Sequence, residues 1–218
     1  MIEQLLPASV SVVEAFGDVP GEDPFPGEER LIARAVEGRR REFVTARRCA
    51  REALLGLGFP PAPIGAGPRR EPLWPAGVAG AITHCTGYRG AAVTRIGDLA
   101  GVGIDAEPDA PLPDGVGVAV TTPGERSMLA ALTAADPTVH WGRLLFSAKE
   151  SVFKAWYPLT GRMLDFAEAA LTIDPVSRTF RARVLVDGRR ADGGPPLSGF
   201  DGRFLAARGL LLTAVTVP

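Results

Sequence analysis

The chain runs twice through one order of predicted elements, with helical segments first and a set of strands after them. Residues 108–117, which include three prolines, separate the two sets. This repetition predicts an α+β fold built as two similar halves, residues 1–110 and 111–218. Alternating and apolar runs predict strands at residues 8–16, 79–83, 90–96 and 100–105 in the first half, and at 168–174, 178–186, 203–208 and 210–217 in the second.

Helical periodicity is strongest in three segments. Residues 28–57 are predicted to form two helices or one long broken helix, and residues 58–77, ten of which are Gly or Pro, a long loop. In the second half, Thr122 and Pro123 favour a helix start, so a helix is expected over 123–132. A further helix is expected over 147–156.

Composition limits the class of protein. A formal net charge of −1 argues against a general binder of nucleic acids or membrane surfaces. The two cysteines form neither a disulfide framework nor a metal-ligand spacing. No apolar run reaches the roughly 18 residues that span a bilayer, and no signal peptide is recognisable. A cytoplasmic protein is expected.

Lysine usage points to one segment. Only two of the 24 basic residues are lysines, Lys149 and Lys154, and both lie in the run FSAKESVFK. Ser147 and Glu150 have the spacing of a capping box, and Glu150 and Lys154 that of a favourable helical ion pair. This structural interpretation leaves Lys149 unexplained. In the functional interpretation, Glu150 is a metal ligand or general base and the two lysines bind different phosphates.

A second candidate site ends the strand Gly101–Glu107. Asp105 and Glu107 are two residues apart, so both carboxylates point to one side of an extended chain. The glycines beside Val102 permit close backbone approach. Two such carboxylates suit a hard cation such as Mg²⁺, although a solvated strand end before Pro108 explains them as well.

A third candidate is the arginine-rich helix. Arg40 and Arg47 continue the apolar stripe of Phe43, Ala50 and Leu54, so Arg47 is expected on the core side. A buried guanidinium needs a partner, and phosphate is a good bidentate one.

His84 forms the fourth candidate, because it follows a strand and lies between Thr83 and Cys85. It fits a structural role better than a catalytic one, and a cysteine hydrolase has little support.

Several segments together carry a family resemblance. They resemble the Sfp-type 4′-phosphopantetheinyl transferases, of the siderophore-synthetase type. In chain order they are Arg47-Arg48-x-x-Arg51, Gly67…Glu71-Pro72-x-Trp74-Pro75, Thr83-His84, Gly103-Ile104-Asp105-Ala106-Glu107 and Phe146-Ser147-Ala148-Lys149-Glu150-x-x-x-Lys154.

The resemblance implies a monomer whose halves are related by a pseudo-twofold axis, with the active site in the cleft between them. The expected cofactor is Mg²⁺ (or Mn²⁺), with coenzyme A as co-substrate. The implied reaction moves the 4′-phosphopantetheine arm of coenzyme A to a serine of an apo acyl or peptidyl carrier protein and releases 3′,5′-ADP. Carriers of polyketide, nonribosomal-peptide, siderophore and fatty-acid synthases all remain open as partners.

The resemblance also assigns roles to residues. Asp105, Glu107 and Glu150 match the metal carboxylates, and Glu150 also matches the base for the carrier serine. Lys149 and Lys154 match phosphate-binding lysines, and Thr83 and His84 match residues near the nucleotide phosphates. The basic positions that bind coenzyme A are matched by Arg47, Arg39, Arg40 and Arg70.

The chain departs from the family at three places. Phe146 replaces a frequent tryptophan, Cys85 replaces a serine, and Ala106 replaces a larger residue. Two alternatives to the transferase stay open from the residues: an inactive relative that binds coenzyme A or carrier proteins, and another Mg²⁺-dependent enzyme that cleaves a pyrophosphate.

Overall fold

Two antiparallel sheets, each covered by one long helix, make up the α+β fold in the computed structural model, which describes residues 1–218. The helices are α1 (Glu37–Gly56), α2 (Val116–Val120), α3 (Pro123–Ala135) and α4 (Trp141–Thr160). The strands are β1 (Ser11–Ala15), β2 (Gly65–Ala66), β3 (Pro72–Leu73), β4 (Val78–Cys85), β5 (Tyr88–Arg95), β6 (Gly101–Pro108), β7 (Ala169–Asp174), β8 (Thr179–Val184), β9 (Gly199–Ala207) and β10 (Leu210–Val217). None of the helices has both the length and the apolar character that crossing a bilayer requires.

Strand order divides the molecule unequally. One sheet has the order β1-β5-β4, and the other has the order β6-β10-β9-β8-β7. Strand β6 precedes the proline-rich break at residues 108–117, yet it pairs along its whole length with β10 and so belongs to the larger sheet. The division at residue 110 and the pseudo-twofold axis stay predictions, with three strands on one side and five on the other.

Strand β6 also closes the apolar core between the two sheets. Val102 and Ile104 on β6 are buried with Ala81 of β4, Tyr88 of β5 and Leu212 of β10. Separate cores lie beneath α1 and α4. Burial of this kind contributes roughly 25 cal/mol per Å² of apolar surface, so the position of β6 is fixed from both sides.

Helices α1 and α4 begin at other residues than predicted. The predicted helix over residues 28–57 is a 3₁₀ turn at Glu29–Leu31 followed by α1 alone. The start of α3 is confirmed: Thr122 is its N-cap, and the Glu125 carboxylate accepts a hydrogen bond from the Thr122 amide at 2.7 Å.

Helix α4 begins six residues before the predicted N-cap at Ser147. The Ser147 side chain is fully buried inside the helix, and its hydroxyl lies 2.9 Å from the Thr213 hydroxyl of β10. The predicted capping box of Ser147 and Glu150 is therefore wrong, because a tertiary hydrogen bond occupies the serine.

Close packing of α4 on β6 depends on Gly103. A Cβ atom at this position would lie 2.0 Å from the Ser151 carbonyl oxygen of α4. No other residue type fits without moving the helix, so the expected close backbone approach is confirmed here. The packing places one face of α4 directly over the end of β6 that carries acidic side chains.

The Gly- and Pro-rich loop contains the short β2–β3 hairpin. The Trp74 indole nitrogen donates a hydrogen bond to the Gly80 carbonyl of β4 at 2.9 Å, and Gly80 leaves room for the indole ring. At the tip of the hairpin, Arg70 has φ +66°, a conformation in which a non-glycine residue is uncommon. The Trp74 contact therefore fixes the position of the hairpin beside β4.

Candidate active site

A cleft of about 1230 Å³ lies between α1, the β2–β3 hairpin, β4 and α4. Its acidic lining residues are Glu71 and Glu150. Its basic lining residues are Arg30, Arg34, Arg39, Arg47, Arg69, Arg70 and Lys154. A cleft with this excess of basic groups, on a chain of net charge −1, concentrates anionic ligands.

Asp105 lies where β6 meets α4, outside the lining of the cleft but in contact with Lys154, which lines it. Its side chain is 7% exposed, and Oδ1 accepts hydrogen bonds from Lys154 Nζ at 2.7 Å and Thr83 Oγ1 at 3.2 Å. The second oxygen, Oδ2, is buried and has no hydrogen-bond partner. A buried carboxylate oxygen without a donor is costly, so it is a natural place for a cation.

Only one oxygen of the Glu107 carboxylate accepts a hydrogen bond. Its Oε2 accepts a hydrogen bond from Arg143 Nη1 of α4 at 2.9 Å. Burial raises the pKa of the Glu107 carboxyl, the Asp105 charge raises it further, and Arg143 acts in the opposite direction. The two β6 carboxylates therefore repel each other, as their spacing predicts.

Glu150 lines the cleft from α4. Burial raises the pKa of its carboxyl, Lys154 opposes that rise, and the charges of Asp105 and Glu107 add to it. The three carboxylates therefore share one electrostatic environment, and a cation among them would relieve their repulsion.

The donor set of these carboxylates suits only one kind of metal site. No group of three or more His, Cys, Asp or Glu side chains lies close enough together to enclose an ion. Mg²⁺, however, is usually bound by one or two carboxylates together with waters and substrate phosphates. The unpartnered Asp105 oxygen and the all-oxygen donor set fit such an open site.

The two lysines of the FSAKESVFK run have different surroundings. Lys154 lines the cleft and contacts Asp105. Lys149 lies outside it: its ammonium is 2.9 Å from Glu125 Oε2 and donates to the Phe166 carbonyl at 2.7 Å, and both charged side chains are 2% exposed. Lys149 therefore forms a buried ion pair, and its predicted phosphate contact stays a prediction.

Thr83 and His84 are neighbours with separate roles. Thr83 is buried, donates to Asp105 and accepts from the Ala106 amide at 3.0 Å, so it orients the carboxylate. It is not among the residues that line the cleft. His84 lines the cleft beside Arg39. Burial lowers the pKa of His84 to about 4, and Arg39 contributes, so His84 is neutral at pH 7.

Arg47 is the basic residue with the clearest unsatisfied bonding capacity. It is 5% exposed, its guanidinium lies 5.1 Å from the Phe43 ring centroid, and Nη1 is buried without a partner. Burial lowers the pKa of Arg47 to about 10, Glu28 opposes this and Arg51 adds to it. The predicted anion-binding role has the geometry it needs. Arg40, by contrast, does not line the cleft.

Sequence reasoning missed Arg143 and Glu28. Glu28 is 1% exposed and accepts from Arg51 Nη1 and from the Ile64 amide, both at 2.8 Å. No local pattern reveals that contact. Arg143 was detectable, because it precedes Glu150 by seven residues and so lies on the same helix face.

The two cysteines are free and buried. Burial raises the pKa of Cys49 to about 11 and that of Cys85 to about 12. Both remain thiols at neutral pH, and a thiol is a weak nucleophile.

Comparison with known proteins decides the family. A sequence model described as the 4′-phosphopantetheinyl transferase N-terminal domain matches residues 27–94, and a model of the 4′-phosphopantetheinyl transferase superfamily matches residues 101–192. The transferase Svp of Streptomyces mobaraensis is 56% identical over the whole chain and 89% of its own length. The chain belongs to the 4′-phosphopantetheinyl transferase family.

Two further relatives support the assignment. The 4′-phosphopantetheinyl transferase Npt of Nocardia iowensis is 49% identical over 99% of both chains. The 4′-phosphopantetheinyl transferase PptT of Mycobacterium tuberculosis is 46% identical over 100% of this chain and 98% of its own. The predicted family and activity are thereby confirmed: the chain is an enzyme that transfers the phosphopantetheine arm of coenzyme A to carrier proteins.

Proposed function

We propose that the serine hydroxyl of an apo carrier protein attacks the pantetheine-bearing phosphorus of coenzyme A within the cleft, in a Mg²⁺-dependent (or Mn²⁺-dependent) reaction. A serine O–P bond forms, the pyrophosphate P–O bond breaks, and 3′,5′-ADP leaves. The observation that carries this proposal is the buried Asp105 carboxylate with one free oxygen, beside Lys154 in an otherwise basic cleft.

Asp105, Glu107 and Glu150 are the residues that would hold the metal ion, one or two of them directly and the rest through bound water. When bound, Mg²⁺ offsets charge that develops on the pyrophosphate oxygens. Thr83 and Lys154 both donate to Asp105 Oδ1. They hold the carboxylate so that Oδ2 faces away from its protein partners.

Glu150 is proposed as the base that accepts the serine proton. A general base works best when its pKa lies near the working pH, and the pKa of Glu150 is raised above that of an ordinary glutamate. Its place on the cleft wall gives an incoming hydroxyl access to the carboxylate.

The basic side chains of the cleft are proposed to bind the rest of coenzyme A. Lys154 is close enough to Asp105 to stabilise a phosphate beside it, and Arg47 has a free buried N–H for another. Arg39 and Arg70 line the same cleft, and neutral His84 supplies a hydrogen bond without a charge. Charge-assisted bonds of this kind contribute about 1.5–3 kcal/mol each.

The partners are proposed to be apo acyl or peptidyl carrier proteins of polyketide, nonribosomal-peptide, siderophore or fatty-acid synthases, met by a monomeric enzyme. Both cysteines are free and buried, which suits the reducing cytoplasm.

An intact-mass assay tests the proposal. An apo carrier protein, coenzyme A, Mg²⁺ and the enzyme are expected to give a carrier heavier by one phosphopantetheine, and EDTA should prevent the gain. Glu150→Gln should lower the rate by roughly 10²- to 10⁴-fold, the usual contribution of general-base catalysis. Unchanged transfer by this variant contradicts the proposed base. Release of 3′,5′-ADP without a carrier identifies a pyrophosphate-cleaving enzyme instead.

A further inference from the structure

Two ion pairs connect α4 to the acidic end of β6. Lys154 Nζ lies 2.7 Å from Asp105 Oδ1, and Arg143 Nη1 lies 2.9 Å from Glu107 Oε2. Glu150 lies between the two cations along the helix. The helix and strand run in opposite directions, so each β6 carboxylate meets a different cation.

All three guanidinium nitrogens of Arg143 donate to the end of β6 and the residues that follow. Besides Glu107, it donates from Nε to the Ala110 carbonyl at 3.2 Å and from Nη2 to the Pro111 carbonyl at 2.5 Å. Its side chain is 16% exposed, and it is not among the residues that line the cleft. The rigid guanidinium fork therefore has one fixed orientation.

The two β6 carboxylates are held in the same way. Asp105 keeps Oδ2 free while Oδ1 is bound, and Glu107 keeps Oε1 without a hydrogen bond while Oε2 is bound. Without its cation, each carboxylate would be free to rotate and would repel the other. One oxygen of each is thus anchored by α4 and the other remains available.

We propose that Arg143 is a positioning residue, which fixes the Glu107 side chain so that its free oxygen takes part in metal binding. The inference rests on the proposed metal site, and it assigns to Arg143 no contact with substrate. Partners that orient a metal-binding carboxylate typically change metal affinity by about 10- to 100-fold when they are removed.

The competing explanation is that Arg143 only anchors the chain after β6 through the Ala110 and Pro111 carbonyls. Loss of such an anchor lowers stability but leaves metal affinity unchanged.

Arg143→Gln removes both functions. Arg143→Lys keeps the positive charge near Glu107 but cannot reproduce the three hydrogen bonds of the guanidinium. The matched control is Arg126→Gln in α3, which removes a hydrogen bond from Arg126 to the Thr121 carbonyl.

The experiment is a Mn²⁺ titration of the coenzyme A-bound enzyme without carrier protein, with free Mn²⁺ measured by electron paramagnetic resonance. We expect Arg143→Gln to weaken Mn²⁺ binding by about 10- to 100-fold and Arg143→Lys to weaken it less. Coenzyme A binding in EDTA should change little, and Arg126→Gln should match the wild type. With carrier added, high Mg²⁺ should restore turnover of the Arg143 variants.

The outcomes separate this inference from the proposed function. If the wild type binds Mn²⁺ and both Arg143 variants bind it equally well, Arg143 is an anchor and the inference is wrong. If the wild type itself binds no Mn²⁺, the proposed metal site fails and the inference fails with it. Should Arg143→Gln not fold, Arg143→Lys alone decides between the two explanations.

Discussion

The two lysines of α4 lie five residues apart and face opposite environments. Lys149 meets Glu125 in a pair where both side chains are 2% exposed, and Glu125 also accepts from the Leu171 amide. Lys154 is 25% exposed, and its partner Asp105 keeps an oxygen without a donor. The first pair is satisfied within the protein, whereas the second leaves bonding capacity for a ligand.

That difference explains why the same residue type has two roles. A buried charge is tolerated when it is paired and hydrogen-bonded, and the Lys149 side of the helix meets this condition. The Lys154 side does not, and it is the side that opens into the cleft. Unsatisfied polar atoms, and not charge alone, therefore distinguish the active face of α4 from its structural face.

The largest expected effect tests the structural side. Lys149→Met leaves the Glu125 carboxylate buried without its cation, so we expect a loss of about 3–5 kcal/mol in the free energy of unfolding. Urea unfolding measures this directly. Adding Glu125→Gln removes the stranded charge and should restore most of the stability and, with it, the transferase activity.

The matched change on the active side should behave differently. Lys154→Met with Asp105→Asn also removes an ion pair, but this double variant should stay inactive even where it is folded. If instead the Lys149 and Glu125 double variant is stable and inactive, Lys149 acts in the reaction and the distinction between the two faces fails.

A smaller effect is expected from changing the distance between α4 and β6. Gly103→Ala places a Cβ about where the Ser151 carbonyl lies, so α4 must shift, at a cost of about 1–3 kcal/mol. Transfer activity should fall as well, because Lys154 and Glu150 move away from Asp105. Thermal unfolding and the mass assay measure both losses. Gly124→Ala in α3, where a Cβ meets no atom within 4 Å, should cause neither.

The smallest effect is on the pH dependence of stability. The pKa of Glu150 is raised in the folded protein, so its ionisation opposes folding above that pKa, and the penalty disappears as the pH falls through it. Glu150→Gln should therefore raise the Tm of the metal-free enzyme at pH 7–8.

The Tm difference between Glu150→Gln and the wild type should shrink toward pH 5. Calorimetry in EDTA measures it, with the exposed Glu52→Gln as control. A variant less stable than the wild type at pH 8 would show that the Glu150 carboxylate is stabilised by its surroundings, contrary to its raised pKa.

The parts of the fold that depend on local pattern were predictable. The strands near residues 79–83, 90–96 and 210–217 were found because their apolar runs are distinct, and the start of α3 because Thr122 and Pro123 are local signals. The motif order also identified the family, as the comparisons confirm.

The errors arise where a distant contact replaces a local signal. Ser147 has the spacing of an N-cap, but Thr213, 66 residues away, binds its hydroxyl. The partner of Lys149, Glu125 of another helix, is likewise distant in the sequence. No periodicity encodes such partners, so the sequence predicts which residue types are important better than it predicts what they contact.

Strand β6 pairs with a strand that is made much later during synthesis of the chain. It carries Asp105 and Glu107, and its hydrogen-bonded neighbour is β10, whose Val217 pairs with Gly101. Chains are made from the N-terminus onward, so β6 has no hydrogen-bonded neighbour until β10 has been made, and unpaired strands are prone to aggregate. The two carboxylates are thus held in a completed strand pair only after β7, β8 and β9 have also been made.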